Sequence, residues 1–544
     1  MKADLTRNTF RQSKHFSRVL MQQGRVQLDA DWNEQNSILL QTIRTLAADL
    51  IGPHGGPAND LGFSVTTPNL PALSPPVLDF GISSGHYYVD GILCANDPTP
   101  VAITSTSTST SGASQLQVEV WTVDGVSFAP GQIVEVFDAL TPAASTPAHI
   151  TQATESTRLL TLDADVSSLG KMSMPRIRRL MTYTTQPDYP VKDKLAAGVF
   201  QVYLDVWERL ITYVEDDAIR EVALGGPDTA ARSKVVAQVK VLPLPTTPAV
   251  ACQTVDELNA ALQSFNRGLL KARTIPSAAS TDPCIISPTS QYRGPENQLY
   301  RVEVHTGGTV ATAGATTPTF KWSRENGSVV FPIMSGGGTN TVTLESLGRD
   351  DRFGLAPGDW VEMLDDNYVL LNRAGTLLQV QSVDPTSTQV MLTGTPDSSV
   401  GQDPTKHPLL RRWDQKQGDE DDGGVTLSSD NAALIVEGSG ENNWLNLEDG
   451  VQIQFQQSDA NLPATYRTGD YWLIPARTAT GDVEWPTETA TDSTGKAIQT
   501  AAALPPEGIV HHYAPLAIID VETNEVNVQS ACGLRFSPSA APET

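Results

Sequence analysis

The stretch Ala129–Asp138, APGQIVEVFD, returns at Ala356–Asp365 as APGDWVEMLD. Pro-Gly makes a turn, and the alternation after it places Val134 or Val361 on the face opposite Glu135 or Glu362. An apolar–x–apolar step precedes each copy, Val126 and Phe128 in one, Phe353 and Leu355 in the other. A second strand and a turn follow each, HITQATESTRLLTL and LLQVQSVDPTSTQVML. This order describes a small antiparallel barrel or sandwich module. Two copies are too few for a solenoid, so the pattern predicts one β-module used twice.

Outward from these copies the chain keeps period two. HYYVDGILCAN (86–96) reads as a strand, a turn at Asp90-Gly91 and a strand. Thr104–Gly112 reads as a low-complexity polar loop. FQVYLDVWERLITYVED (200–216) reads as a strand pair with Arg209 near its crossing point, and KVVAQVKVL (234–242) as another strand. Asn326-Gly327 is the strongest hairpin signal, between the strands TFKWS and VVFPI. WLNLEDGVQIQF, YRTGDYWLIPA and GIVHHYAPLAIIDV keep the C-terminal part β-rich, before the tail SPSAAPET. One interior helix stands out over 254–271. Thr254 and Glu257 make its capping box, and Leu258, Leu262, Phe265 and Leu269 its stripe.

The expected fold class is therefore mainly β with a few helices (α+β), in several domains. Residues 1–53 form a strand–helix anchor and 54–185 a β domain with the first copy of the module. Residues 186–335 form a central β domain, 336–400 the second copy, and 401–544 a C-terminal β domain.

The anchor is FSRVLMQQGRVQLDADWNEQNSILLQTIRTLAADLIG, Phe16 to Gly52. Val19–Leu28 reads as extended. Asp29 or Asp31 can cap a helix that Gly52-Pro53 stops. Trp32, Leu39, Ile43, Leu46 and Leu50 form a narrow seam of coiled-coil spacing, with Asn36 filling the missing place. Either the seam packs on its own domain, or it meets a partner, and Asn36 then sets the register at some cost in stability.

Charge and cysteine usage narrow the function classes. The chain of 544 residues carries 37 basic and 62 acidic side chains, a net −25. That argues against nucleic acid, whose phosphates need Lys and Arg, and it favours solubility. No apolar stretch suits a signal peptide or a membrane span, so the expectation is synthesis in the cytoplasm without membrane insertion. Cys94, Cys252, Cys284 and Cys532 are scattered, and free thiols are the default reading, with a Cys252–Cys284 bridge conceivable.

Each candidate motif has a plainer reading beside it. GDEDDGG (418–424) places Asp419, Asp421 and Asp430 at positions one, three and twelve of a calcium loop. Position five is Gly423, and a solvated acidic loop explains the cluster as well. His511 and His512 point to opposite strand faces and cannot easily share a metal. Glu208 and Glu325 are carboxylates a glycosidase could use, and Trp322, Trp360, Trp444, Trp472 and Trp485 could line a sugar platform. Strand-face core is the commoner role for such tryptophans. No nucleophile elbow, P-loop or dinucleotide fingerprint is present, so neither an enzyme nor a cofactor is expected.

Six stretches together carry a resemblance: KHFSRVLMQQGRVQLDADWNE, YLDVWER, REVALGGPDTAAR, FKWSRENGSVV, DYWLIPART and HHYAPLAII. They resemble a bacterial domain-of-unknown-function family whose genes sit beside those of phage-tail-like contractile particles and their baseplates. The resemblance spans Lys14 to about Asp520 and brings no catalytic residues with it. It implies a structural or binding subunit of a contractile injection particle, of baseplate or fibre type. In that reading VLMQQGRVQL adds a strand, and the following helix packs on other particle subunits or on symmetry mates, with a trimer the expected homo-oligomer. A glycan-binding protein or a polysaccharide depolymerase, meeting a cell-surface glycan or receptor, is the alternative.

Overall fold

A computed structural model describes residues 1–67, 78–108, 114–123, 126–165, 172–190, 195–245, 251–263, 266–276, 291–310, 317–350, 352–418, 424–459, 462–491, 495–523 and 525–537. The fold is mainly β with few helices, and its strands gather into several small sheets and barrels. The chain divides into two compact units. One holds residues 1–40, 208–234 and 263–510, the other 41–207, 235–262 and 511–544.

Each unit contains one copy of the duplicated module, and each copy is a closed six-stranded barrel. The first is built from Val101–Thr108, Ser114–Val118, Ile133–Asp138, Thr141–Thr154, Leu159–Leu162 and Pro175–Arg179. The second is built from Val330–Ser335, Thr341–Leu344, Trp360–Leu364, Thr376–Asp384, Gln389–Leu392 and Leu409–Trp413. Around both barrels the strands run third, fourth, fifth, second, first, sixth. Closure leaves no unpaired edge, which suits a module this small. Val134 and Val361 are fully buried inside, as the alternation requires.

The quoted turns are alike in detail. Gly131 (φ 87°) and Gly358 (φ 97°) take the left-handed conformation that glycine permits. Their amides donate to Ile150 and Val380 carbonyls, both at 2.8 Å. Opposite the motif glutamate stands an arginine in each barrel: Glu135 faces Arg178 and Glu362 faces Arg411. The next arginine clamps the loop before the motif. Arg179 donates to the Val126 carbonyl at 3.0 Å, and Arg412 to those of Arg352 and Gly354 at 2.7 Å.

Beyond its barrel, the first-named unit packs a five-stranded sheet centred on Gln298–Val304 against a three-stranded sheet centred on Val451–Gln456. Phe455 lies at the centre, with its ring 5.1 Å from Phe320 and 5.8 Å from Trp472. In the other unit Val202, Leu204, Val206, Ile519 and Tyr87 share one core. That core lies between the sheet containing His512–Val521 and the sheet containing Gly85–Val89.

Several local expectations are corrected. Residues 200–216 are not a strand pair: Gly198–Ile211 is one long strand, buried along most of its length, and Arg209 pairs with Asp366 at 2.8 Å. Thr104–Thr108 belongs to a barrel strand rather than a loop, because Thr suits a pleated surface and the barrel offers a partner in Ser114–Val118. The interior helix, Val255–Leu262, keeps its capping box, with the Thr254 amide 2.7 Å from Glu257, but it ends well short of residue 271. Leu269 instead starts a strand paired along its length with Val451–Gln456. Asn326 (φ 52°) and Gly327 (φ 65°) do form a left-handed turn, yet its flanking strands do not pair with each other. The turn passes the chain from the five-stranded sheet into the second barrel.

The cysteine reading also changes. Cys252 bonds to Cys532, across 280 residues of chain, with Cα atoms 5.7 Å apart. Sequence separation hid a pair that sheet packing brings together. Cys94 is a free buried thiol, while Cys284 and the tail residues 538–544 lie outside the described residues.

Candidate functional site

The first helix, α1, spans Asp29–Ile51, 23 residues. It begins one turn before the apolar seam, so neither Asp29 nor Asp31 stands ahead of it as a cap. Both sit in its first turn, where a carboxylate suits the dipole. Asp29 accepts from the Thr6 amide at 3.0 Å and its hydroxyl at 2.6 Å. Burial raises the Asp29 carboxyl, but these bonds outweigh it and hold the group below its usual range.

The face that α1 buries is small, and the face it exposes is large. Its buried residues are Ala30 and Ile38. Trp32 is 72% exposed, Ile43 62% and Leu50 78%, with Leu39 and Leu46 also exposed. Asn36 lies on the same face and donates to the Trp32 carbonyl at 3.0 Å. An amphipathic helix of a globular domain does the reverse and turns its wide apolar stripe inward. Off the seam, α1 is held by specific contacts on its far side and on one flank. Thr9 donates to Glu34 at 2.5 Å, and Gln35 accepts the Val19 amide at 2.8 Å. Further along, Gly91 of the Asp90-Gly91 turn approaches the Arg44 backbone so closely that a Cβ there would sit 2.0 Å from its carbonyl oxygen.

Residues 16–28, ahead of the helix, form no strand. Their chain turns at Gly24 (φ 70°) and leaves Phe16, Leu20, Met21, Val26 and Leu28 exposed. The expected extended segment lacks a pairing strand, and backbone alone does not hold a strand in water.

Residues 1–9 behave differently from 16–28. They are seated on the unit that holds them. Asn326 donates to the Met1 carbonyl at 3.1 Å and the Ala3 carbonyl at 2.8 Å. Lys2 pairs with Glu303 at 3.0 Å, and burial lowers its ammonium to about 8. Glu303 also meets Arg301 at 2.6 Å and Lys321 at 3.6 Å. Burial alone would raise the Glu303 carboxyl, but Lys2, Arg301 and Lys321 hold it far below its usual range. Lys321 bridges to Glu362, at 2.6 Å, which also accepts from the Trp413 indole at 2.9 Å. Nearby His305 is pushed down to about 4, by burial and then by Lys321. This network joins the glutamate of the APGDWVE motif to the start of the chain. Sequence reading missed it, since only the charged type of Glu303, Lys321 and Glu362 on strand-like segments hinted at burial in pairs.

The remaining candidates are placed plainly. Asp419 and Asp421 lie outside the described residues. Asp430 is taken up by hydrogen bonds from Ser428 and from Thr306, the latter at 3.1 Å. No cluster of metal-ligating side chains occurs among the described residues. His511 and His512 go to different carboxylates, Asp205 and Asp90, both at 2.7 Å. Of the tryptophans considered for a sugar platform, Trp322, Trp444 and Trp472 are buried, and Trp360 and Trp485 are half-buried against core clusters. Trp444 lies under the Arg273 guanidinium at 4.0 Å. Glu325 pairs with Arg352, and Glu208 accepts from Ser233 at 3.1 Å. Glu448 is raised to about 7, chiefly by burial, although Arg324 lies 2.8 Å away.

The structure thus defines a class: a β-rich protein of duplicated barrels that presents an apolar helix face to its surroundings. A family model matches residues 1–116, 181–249 and 245–543, and the chain belongs to that family, the family of unknown function DUF6519. The matched segments leave out 117–180, a range that holds the first barrel's strands Ile133–Asp138, Thr141–Thr154, Leu159–Leu162 and Pro175–Arg179. No curated protein and no solved structure matches the chain.

Proposed function

We propose that this protein is a structural subunit that joins a larger assembly through residues 16–52. A phage-tail-like contractile injection particle, of which it would be a baseplate or fibre component, is the assembly that the sequence resemblance suggests. The observation that carries the reading is the outward-facing stripe of α1. Contiguous exposed apolar surface of this size marks an interaction site, and each large side chain covered by a partner contributes about 1.5–3 kcal/mol.

The structure also says how the reading is best tested. Deleting residues 1–52 would remove Lys2 from the buried network and so damage the body itself. The better variant is Leu39→Ser with Leu46→Ser, which touches only exposed positions. Both forms are expressed in the native bacterium and particles are sedimented through a density gradient. The expected result is wild-type protein in the particle fraction and the variant, folded, left in the soluble fraction. A wild-type protein that never enters a large assembly, or a variant that enters as well as wild type, overturns the proposal.

A further inference from the structure

We infer that the occupant of the α1 stripe is a second copy of this chain, paired as a parallel two-stranded coiled coil. The inference rests on the docking reading above and names its partner.

The spacing from Trp32 to Asn36, Leu39, Ile43, Leu46 and Leu50 alternates four, three, four, three, four. In heptad terms Trp32, Leu39 and Leu46 are d positions, and Asn36, Ile43 and Leu50 are a positions. All six are exposed on one face. A β-branched residue at a with leucine at d favours two strands, which is the combination of Ile43 with Leu39 and Leu46. One asparagine at an a position makes the same choice: it pairs with its twin across a two-stranded axis and penalises other registers.

Charge agrees with self-pairing. Two copies with −25 each repel. Yet the positions flanking the seam are Asn33, Gln35, Leu40, Thr42 and Ala47, with Asp49 the single acidic flank. Glu34 and Arg44 lie on the side away from the seam, the former bonded to Thr9. The seam is thus the part of an acidic molecule where two copies meet without like charges opposed. The helix is about 34 Å long, and its exposed apolar side chains offer several hundred Å² per copy, approaching the ~800 Å² per partner of a stable interface. Ala30, Ile38 and the Arg44–Gly91 approach all lie off the seam, whose side chains are exposed.

The test is sedimentation equilibrium of the purified full chain over about 1–100 µM, with far-UV circular dichroism to confirm folding. The expected mass is twice 58.3 kDa, falling to the single-chain mass for Leu39→Ser with Leu46→Ser. A Leu50→Cys variant, at an a position, is expected to cross-link to its own counterpart under mild oxidation, as parallel strands require. Asn36→Leu is expected to tighten association and admit larger species. A wild-type monomer throughout the range, a wild-type trimer, a dimer indifferent to the serine variant, or no Leu50→Cys cross-link overturns the inference. A monomer whose seam is still needed to enter the particle removes self-pairing alone. A seam-dependent dimer that joins no particle removes the particle reading alone.

Discussion

Glu303 shows how much one carboxylate can hold. Lys2, Arg301 and Lys321 all converge on it in a buried site. Replacing it by Gln leaves Lys2 and Arg301 without their counter-charge, while Lys321 keeps Glu362, and loss of one partner of a buried pair costs about 3–5 kcal/mol. Glu303→Gln is therefore expected to lower the midpoint of denaturant unfolding with an unchanged slope. The same network sets an acid limit. Glu303 and Glu362 have folded values below their ordinary ones, so their contribution is present above the ordinary carboxylate range and lost as pH falls through the folded values. His305, pushed down to about 4, adds to the loss, because the unfolded chain takes up its proton at higher pH. Glu448 works the other way. Raised to about 7, it stabilises below its ordinary value, and that contribution is lost as pH rises through about 7. Thermal midpoints across pH should fall steeply on the acid side, and Glu448→Gln should flatten the curve between about 4.5 and 7. An unaltered curve would show that Glu448 is not buried as described.

At the scale of elements, α1 and the disulfide make opposite predictions. The apolar seam side chains keep half or more of their surface exposed, so Leu39→Ser with Leu46→Ser is expected to change the stability of the monomer by no more than about 0.5 kcal/mol per site. Gly91→Ala, although smaller, is expected to cost more, since Gly91 has φ 71° and no room for a Cβ against Arg44. Comparing the two thermal melts separates the face that packs from the face that waits. Cys532→Ser opens the Cys252–Cys532 link, and loss of a native disulfide typically costs about 2–5 kcal/mol. A melt unchanged by reductant would mean that the pair does not form in solution. The duplicated barrel strand was legible in the sequence because its turn chemistry and its alternation are both local. Its arginine pairs were not, because Arg178-Arg179 and Arg411-Arg412 lie far along the chain from the glutamates they face.

For the whole molecule, charge should govern association. If two copies of a −25 chain pair through a nearly uncharged seam, raising salt from about 0.05 to 0.5 M screens the repulsion and leaves the apolar contact intact. The dimer dissociation constant is then expected to fall with salt, and a constant that rises would point to an ion-paired interface elsewhere.

What the sequence determined by itself were the features written in neighbouring residues. These are the β-rich class, the Pro-Gly strand used twice, the Thr254–Glu257 capping box, the left-handed turn at Asp90-Gly91, and a helix whose apolar residues recur at heptad spacing. Periodicity and turn chemistry act over a few residues and need no tertiary context. The tertiary structure alone decided matters of pairing. Strand order closes each barrel, Leu269 leaves a helix for a sheet partner, and Cys252 finds Cys532 rather than Cys284. It also decided which way the α1 stripe faces. A heptad pattern says that a face is to be buried, while only the packing of the rest of the chain says whether this molecule buries it or leaves it for another.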